Sequence, residues 1–278
     1  MMMGQTLALL RKHGVRLSKR AGQHQVIDPT VLEQMVDYAE LSRDDLVLEV
    51  GAGIGNLTFL LAARAGRVIA VERDRRLIKV LGERSRGHSN VELLCGDVLQ
   101  IELPKFNKVV ANLPYGISSD ITFRLLKRKF ELAILMYQLE FAERLVAKPG
   151  SDDYGRLTVN AYYRASVELL GEVPPEAFFP QPKVTSAIVR LKPREPPFDV
   201  ADESMFFNVV RALFQHRRQR VRNALYRSFG EVFPGVKVSK VKRRATIDQK
   251  LPKALAETPV IDLAPDKFGV IANLLTSP

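Results

Sequence analysis

Asn112-Leu113-Pro114-Tyr115 directly follows the run Lys108-Val109-Val110-Ala111, so an amide, a proline and a phenol close a stretch of small and β-branched residues. An amide carbonyl beside a backbone carbonyl can accept both N–H bonds of an aromatic amine. That favours a pyramidal nitrogen whose lone pair is open to an electrophile. Pro114 biases Leu113 away from the helical region, which aims the Leu113 carbonyl outward, and it removes an N–H that would otherwise need a partner. Tyr115 supplies a face for stacking a base, worth ~1–3 kcal/mol in single-strand binding. An ordinary turn is the competing reading of the same four residues.

Three further strand ends carry chemistry. Asp45-Leu46-Val47-Leu48-Glu49-Val50 runs into Gly51-Ala52-Gly53-Ile54-Gly55 and then a helical pattern. Glycines at such a turn let a ligand approach the backbone closely. A dinucleotide fingerprint wants its last glycine three places after Gly53; Asn56 stands there. Glu72, about twenty residues on, ends the next apolar run and can accept both hydroxyls of a ribose. Alone it suits a nicotinamide enzyme and a methyltransferase equally, or is a surface acid. Asp97, after Cys95-Gly96, is placed to accept from an adenine amino group. Gly51, Glu72 and Asp97 together supply what S-adenosylmethionine needs: room for its methionine, a ribose acceptor and an adenine acceptor.

The elements that must position these residues follow from hydrophobic periodicity. Strands are expected at 45–50, 67–71, 91–95, 108–112, 131–138, 157–170 and 185–191, and helices near 29–41, 55–65, 74–85, 118–129 and 139–147. Alternating strand and helix with unalternating β-branched strands predicts an α/β, Rossmann-like fold with a mostly parallel sheet. The last two strands have only a loop between them and should pair antiparallel at the sheet edge. The proline-rich Lys192–Asp199 marks the domain boundary, giving a catalytic domain over 1–195 and a small basic α-helical domain over 196–278. In the latter, periodicity runs from Phe206 through Leu225. A helical wheel puts Arg211, Arg218 and Arg222 on one polar stripe, while Arg217 falls in the apolar arc. Either the helix breaks near Gln215-His216, or Arg217 reaches back into the first domain.

The net charge is +11 over 278 residues, and it is uneven. Between Ser204 and Ala256 lie thirteen Lys and Arg against two acids, Glu231 and Asp248; residues 1–27 hold five bases and no acid. Two basic segments flanking a balanced middle are the footprint of a protein that neutralises phosphates, with a merely solvated face as the plain alternative. The single cysteine, Cys95, excludes an intramolecular disulfide, fits a reducing cytosol and reads as a packed core thiol. Four scattered histidines give no metal-ligand spacing, so no metal is expected. The start has no signal-peptide pattern, and no apolar run nears the ~20 residues that span a bilayer. A cytoplasmic location follows.

The motifs EVGAGIGNLT, VERD, GDVL, NLPY and VPPEAFFPQPKVTSAIVRL, in that order, resemble the small-subunit rRNA adenine N6-dimethyltransferase family, the kasugamycin-resistance type. The likeness covers nearly the whole chain, including FQHRRQRVRNAL. It implies S-adenosylmethionine-dependent dimethylation of N6 on two adjacent adenosines in the terminal hairpin loop of small-subunit rRNA, during ribosome biogenesis. The partner implied is that rRNA or the immature small subunit. The resemblance also implies that His24 and Val26 join Gly51, Gly53, Glu72, Asp97 and Asn112 around the cofactor, and that Phe178 stacks on the target adenine opposite Tyr115. From composition alone, Phe178 and Phe179 read as hydrophobic plugs of a proline-rich loop. Arg211, Arg217, Arg218, Arg220 and Arg222, with Lys237, Lys242, Arg243 and Arg244, are the candidates for phosphate contact. One departure stands out: the family's N-terminal motif carries Phe-Leu where this chain has Gln25-Val26.

Three rivals remain. A large-subunit rRNA adenine methyltransferase is the nearest, although its relatives usually carry isoleucine where Leu113 stands. A non-catalytic RNA-binding assembly or transcription factor need not keep Glu72, Asp97 and Asn112 together. A nicotinamide-dependent oxidoreductase is weakened by the glycine spacing and by the lack of an evident hydride-site acid or base. No dedicated dimer face is evident, and a monomer is expected.

Overall fold

A computed structural model describes residues 2–19 and 22–276; Arg20, one of the N-terminal bases, lies outside them. The chain forms two compact units, residues 1–142 with 166–193, and residues 143–165 with 194–278. The passage at 193–194 falls within the proline-rich segment. The helical unit also takes 143–165, which the sequence pattern assigns to the catalytic domain.

The first unit opens with α1 (Met2–Lys12), β1 (Gln25–Val26) and α2 (Pro29–Tyr38). Asp28 caps α2 by accepting from Thr30 N, with Pro29 at the first helical position. There follow β2 (Leu46–Val50), α3 (Thr58–Arg64), β3 (Arg67–Glu72), α4 (Arg75–Arg84), β4 (Val91–Cys95), β5 (Lys108–Asn112), α5 (Ser118–Leu125) and β6 (Leu132–Gln138). After α6 (Leu139–Val146) and α7 (Arg156–Arg164) the chain returns through β7 (Ala165–Val173), β8 (Phe178–Phe179) and β9 (Ser186–Pro193).

Seven strands form one sheet in the order β4-β3-β2-β5-β6-β9-β7. The pairs β2–β3, β3–β4, β2–β5 and β5–β6 are parallel, and β6–β9 is antiparallel. Strand order reverses between β2 and β5, so a crevice opens outside their carboxyl ends. Central strands are buried on both faces: Val47, Leu48, Val109, Val110, Leu135 and Met136 are inaccessible. The expected Rossmann-like α/β architecture with a mostly parallel sheet is present.

Four points compare with these expectations. Residues 156–164 are helix α7, and only β7 from Ala165 is strand. Leu157, Thr158, Val159, Ala161 and Tyr163 are buried there, and Val159 and Tyr163, four residues apart on one helix face, pack in a cluster with Phe206 and Val210. That packing overrides the β-propensity of the run. Second, the expected pairing of the last two strands at the sheet edge is present, with β7 outermost and β9 between it and β6. Third, Cys95 is exposed. It ends β4, an edge strand whose other residues are only half-buried, so an apolar run there does not bury its last side chain. Fourth, helix α1 went unread; its Leu10 is buried against Ile54, Leu77 and Val80.

The second unit adds α8 (Glu203–Phe214), α9 (Val221–Arg227), α10 (Phe229–Val232), α11 (Lys240–Lys250), α12 (Lys253–Glu257) and α13 (Pro265–Thr276). Phe206, Phe268, Val260 and Leu213 are fully buried at its centre, and the Tyr154 hydroxyl donates to Leu263 O at 2.7 Å. No helix among the described residues is long and apolar enough to cross a membrane.

Candidate active site

The carboxyl ends of the parallel strands wall a cavity of about 690 Å³, within the roughly 300–1,000 Å³ usual for small-molecule sites. His24, Gly51, Glu72, Asp97, Asn112 and Tyr115 all line it, with Pro114. Gly51 has φ +75°, and a Cβ there would meet Asn112 O and Pro114 Cδ at 3.5 Å. The turn therefore needs glycine for its backbone conformation and keeps the adjoining wall open.

Glu72 ends β3 with 7% of its surface exposed. Its Oε2 accepts from Gly53 N at 2.9 Å and its Oε1 from Asp74 N at 2.8 Å. Burial pushes its pKa up, against the opposing pull of those backbone N–H groups. Each carboxylate oxygen has a second lone pair, so the group can accept two ribose hydroxyls while its own position stays fixed. Asp97 is anchored in the same way: Oδ1 accepts from Leu99 N at 2.9 Å, while Oδ2 has only a long 3.5 Å contact with Gln100 Nε2. The cavity thus offers a rigid acid at two adjacent strand ends and a glycine cradle at a third. These features fit the ribose, adenine and methionine portions of S-adenosylmethionine.

At the fourth end, Asn112 Nδ2 donates to His24 O at 2.7 Å. Only the NH₂ end of an amide can do so, which leaves Oδ1 as the acceptor end. Tyr115 is held through its hydroxyl, 2.6 Å from the buried Ser186 Oγ, and burial raises its pKa. The Tyr115 ring stacks on His24 with centroids 5.7 Å apart and planes 20° apart. His24 Nδ1 lies 2.5 Å from Pro180 O, a carbonyl that can only accept, so Nδ1 carries a hydrogen.

Not every expected residue reaches the cavity. Val26, Gly53, Leu113 and Phe178 do not line it. Val26 O accepts from Asn56 Nδ2 at 2.9 Å, and Gly53 acts through its N–H on Glu72. Leu113 has 2% of its surface exposed, so its side chain belongs to the core. Phe178 is also only 2% exposed: β1 pairs antiparallel with β8, Val26 opposite Phe178, and both side chains pack with Ile188 and Met136. The structure therefore places Phe178 as a hydrophobic plug and not against the cavity.

Residues missed by the sequence reading close the site instead. Gln23 accepts from Ser18 N at 2.8 Å and donates to Asp74 Oδ2 at 2.9 Å, latching the N-terminal arm to the cap of α4. Gln25 turns its amide onto the glycine loop, where a Cβ on Gly53 would lie 2.2 Å from Gln25 Nε2. Its Oε1 lies 3.4 Å from Ile54 N. The signal was present in Gly22-Gln23-His24-Gln25, four residues of which three are polar ahead of a buried pair. Under the loop, Glu49 on β2 is 2% exposed and its Oε2 has no hydrogen-bond partner. The Thr58 hydroxyl approaches without meeting hydrogen-bond geometry, and it offsets only part of the burial penalty. Burial, with a smaller push from the charge of Glu72, raises the Glu49 pKa to about 8. Among the described residues no group of three His, Cys, Asp or Glu could hold a metal ion.

The basic residues of the helical unit do not form a stripe. Helix α8 ends at Phe214, so the break near Gln215 is real and the wheel does not extend across it. Arg217 donates to Asp152 O at 2.7 Å, within the same unit. Arg218 lies 3.7 Å from the Asp152 carboxylate, Arg211 lies 3.7 Å from Glu231, and Arg220 and Arg222 share Glu257.

Comparison with known proteins agrees with this geometry. The chain is 44% identical over 268 residues to the probable ribosomal RNA small subunit methyltransferase A of Methanosarcina mazei, covering 96% of each. It is 44% identical over 274 residues to the protein of the same name from Methanopyrus kandleri, covering 98% of this chain and 97% of that one. Among solved structures, a dimethyladenosine transferase from Plasmodium falciparum aligns with TM-score 0.74 and 30% identity over 88% of this chain and 94% of its own. The 23S rRNA methyltransferase ErmE aligns with TM-score 0.65 and 32% identity over 90% and 98%. The model of the family described as Ribosomal RNA adenine dimethylase matches residues 14–258, and the chain belongs to that family.

Proposed function

We propose that this protein dimethylates N6 of two adjacent adenosines in the terminal hairpin loop of small-subunit rRNA, using S-adenosylmethionine, as a cytoplasmic monomer acting in ribosome biogenesis. The carrying observation is the orientation of Asn112. Its NH₂ end is spent on His24 O, so its carbonyl is the end left for a substrate amine, at a strand end neighbouring the cofactor acids.

S-adenosylmethionine supplies a methyl group already activated by a positive sulfur. Positioning and electrostatics then carry the reaction. Glu72, Asp97 and the Gly51 turn hold the donor. Asn112 Oδ1 and the Leu113 carbonyl accept the two N–H bonds of the adenine amine and orient its lone pair. Tyr115, fixed by Ser186 on its hydroxyl and by His24 on one face, offers its other face to the base. The target must leave its helix or lie unpaired to enter, as for other enzymes acting on a base. Arginines of the helical unit supply phosphate contacts. The 44% identity over nearly the full chain to probable small-subunit methyltransferases supports the small-subunit substrate.

The test combines a variant with a choice of substrates. Asn112→Ala should keep part of its cofactor affinity and lose methyl transfer; wild-type rates in that variant overturn the mechanism. Labelled S-adenosylmethionine should mark immature small subunits or their naked rRNA, and spare large subunits. Label confined to large subunits overturns the substrate. Particle binding without label anywhere overturns the enzyme reading.

A further inference from the structure

Helices α9 and α11 pack together, and between them lies a second concavity of about 270 Å³ lined by Arg222, Asn223, Tyr226, Arg227, Arg244 and Ile247. The four α9 residues stand at i, i+1, i+4 and i+5, so they share one helix face. Arg244 and Ile247 face them from α11, and Ile247, 1% exposed, gives the pocket an apolar floor.

The three arginines that line this pocket are only partly neutralised by carboxylates. Arg227 has no ion-pair or hydrogen-bond partner among the described residues. Arg244 has only Asp248, 3.9 Å from its Nε. Arg222 lies 3.1 Å from Glu257, yet Glu257 also neutralises Arg220, and Arg222 Nε is buried with no partner. A buried donor left unmade is costly, and three guanidinium groups around one small cavity repel one another unless an anion enters. The Tyr226 hydroxyl and Asn223 amide add neutral donors at the rim. A planar guanidinium fork matches a phosphate oxygen pair. The volume is below the roughly 300–1,000 Å³ usual for small-molecule sites.

We infer that this pocket binds a backbone phosphodiester of the RNA, with Arg222, Arg227 and Arg244 as its charged ligands. The inference rests on the RNA-substrate reading above and assigns one phosphate of that substrate to a defined place. It separates Arg222 and Arg244, which line the pocket, from Arg211, Arg217, Arg218 and Arg220, which do not, and it adds Arg227.

The double variant Arg227→Gln/Arg244→Gln tests it, since both side chains are exposed and their loss leaves the packing intact. Binding of a small-subunit rRNA fragment is followed by fluorescence anisotropy between about 50 and 200 mM salt, where each lost phosphate contact lowers the slope of log affinity against log salt by roughly 0.7–0.9. The expected result is a slope lower by about one contact, with S-adenosylhomocysteine affinity equal to wild type as the check on folding. An unchanged slope overturns the pocket. So does thermal protection by inorganic phosphate, lost in the variant, when the RNA slope is unchanged: the site would then hold free phosphate. Absence of RNA binding and methyl transfer in the wild-type protein refutes the substrate reading instead, so the two failures are distinguishable. If the double variant misfolds, Arg227→Lys/Arg244→Lys keeps the charge. It should retain the slope while weakening affinity through loss of the bidentate fork, and wild-type affinity in it overturns the guanidinium assignment.

Discussion

Replacing Glu49 with glutamine should make the protein less sensitive to a rise in pH from about 4.5 to 8. The Glu49 carboxyl lies fully inside the sheet below the glycine loop, and burial lifts its pKa from 4.5 to about 8. Between those values the folded chain keeps a proton that the unfolded chain gives up. Stability therefore falls as pH rises through that window, and becomes flat above about pH 8. A tenfold change in acidity corresponds to ~1.4 kcal/mol, so the full displacement is worth on the order of 5 kcal/mol. Glutamine mimics the protonated acid in shape, and its amide can donate to the Thr58 hydroxyl, which also lacks a partner. Glu49→Gln should thus match wild type near pH ~5 and exceed it by about 3–5 kcal/mol near pH ~8.5. Urea denaturation of both proteins across that range, by circular dichroism, gives the comparison. Other titrating groups are common to both and cancel. Parallel pH profiles would refute the reasoning, since they would mean that Glu49 ionises as freely when folded as when unfolded.

Three further substitutions probe the site and the fold that holds it. Ser186→Ala removes the 2.6 Å partner of the Tyr115 hydroxyl; at roughly 0.5–1.5 kcal/mol for such a bond, methyl transfer should drop about 2- to 10-fold with S-adenosylhomocysteine affinity unchanged in calorimetric titration. Gly66→Ala puts a Cβ 2.1 Å from the Arg43 carbonyl, a backbone atom that cannot step aside, and should cost about 1–3 kcal/mol of stability by thermal melting. Gly53→Ala meets only the movable Gln25 amide, at φ +60°. It should weaken cofactor binding and be partly rescued by Gln25→Ala, leaving ~1–2 kcal/mol of left-handed backbone strain.

What could be read in advance follows from which interactions are local. Gly51, Glu72, Asp97 and Asn112 were legible because each ends a β-branched run, and parallel strands must align their carboxyl ends at one crevice. Leu157–Tyr163 was misread because its β-branched and aromatic residues fit either period over so short a span; packing beside Phe206 decides for helix. Phe178 and Phe179 are adjacent, so in an extended ribbon they point to opposite sides. Nothing in the pair says which is inward until the register Val26 opposite Phe178 is known. Cys95 failed for a related reason, since an apolar run does not reveal that its strand is an edge. The arginine stripe failed because a wheel assumes an unbroken helix, and α8 stops at Phe214.

The cavity's polar groups are coupled in a way that no single motif displays. A side-chain amide can present either end to a substrate, and only its hydrogen bonds decide which. Asn112 is fixed as an acceptor by His24 O, and His24 belongs to the N-terminal arm. That arm is latched by Gln23 to Asp74, whose N–H binds Glu72, which in turn accepts from Gly53. The donor side of the pocket and the acceptor amide are therefore held by one continuous chain of hydrogen bonds. Were the arm to open, Asn112 would lose its orienting bond, and its NH₂ end could turn toward an amine that is itself a donor. Two donors facing each other replace an attraction with a repulsion, so arm closure sets the sign of the interaction as well as the shape of the site. The departure from the family at Gln25-Val26 leaves this intact, because the chain of bonds runs through the His24 and Val26 carbonyls and the Gln23 side chain, none of which depends on an aromatic at position 25.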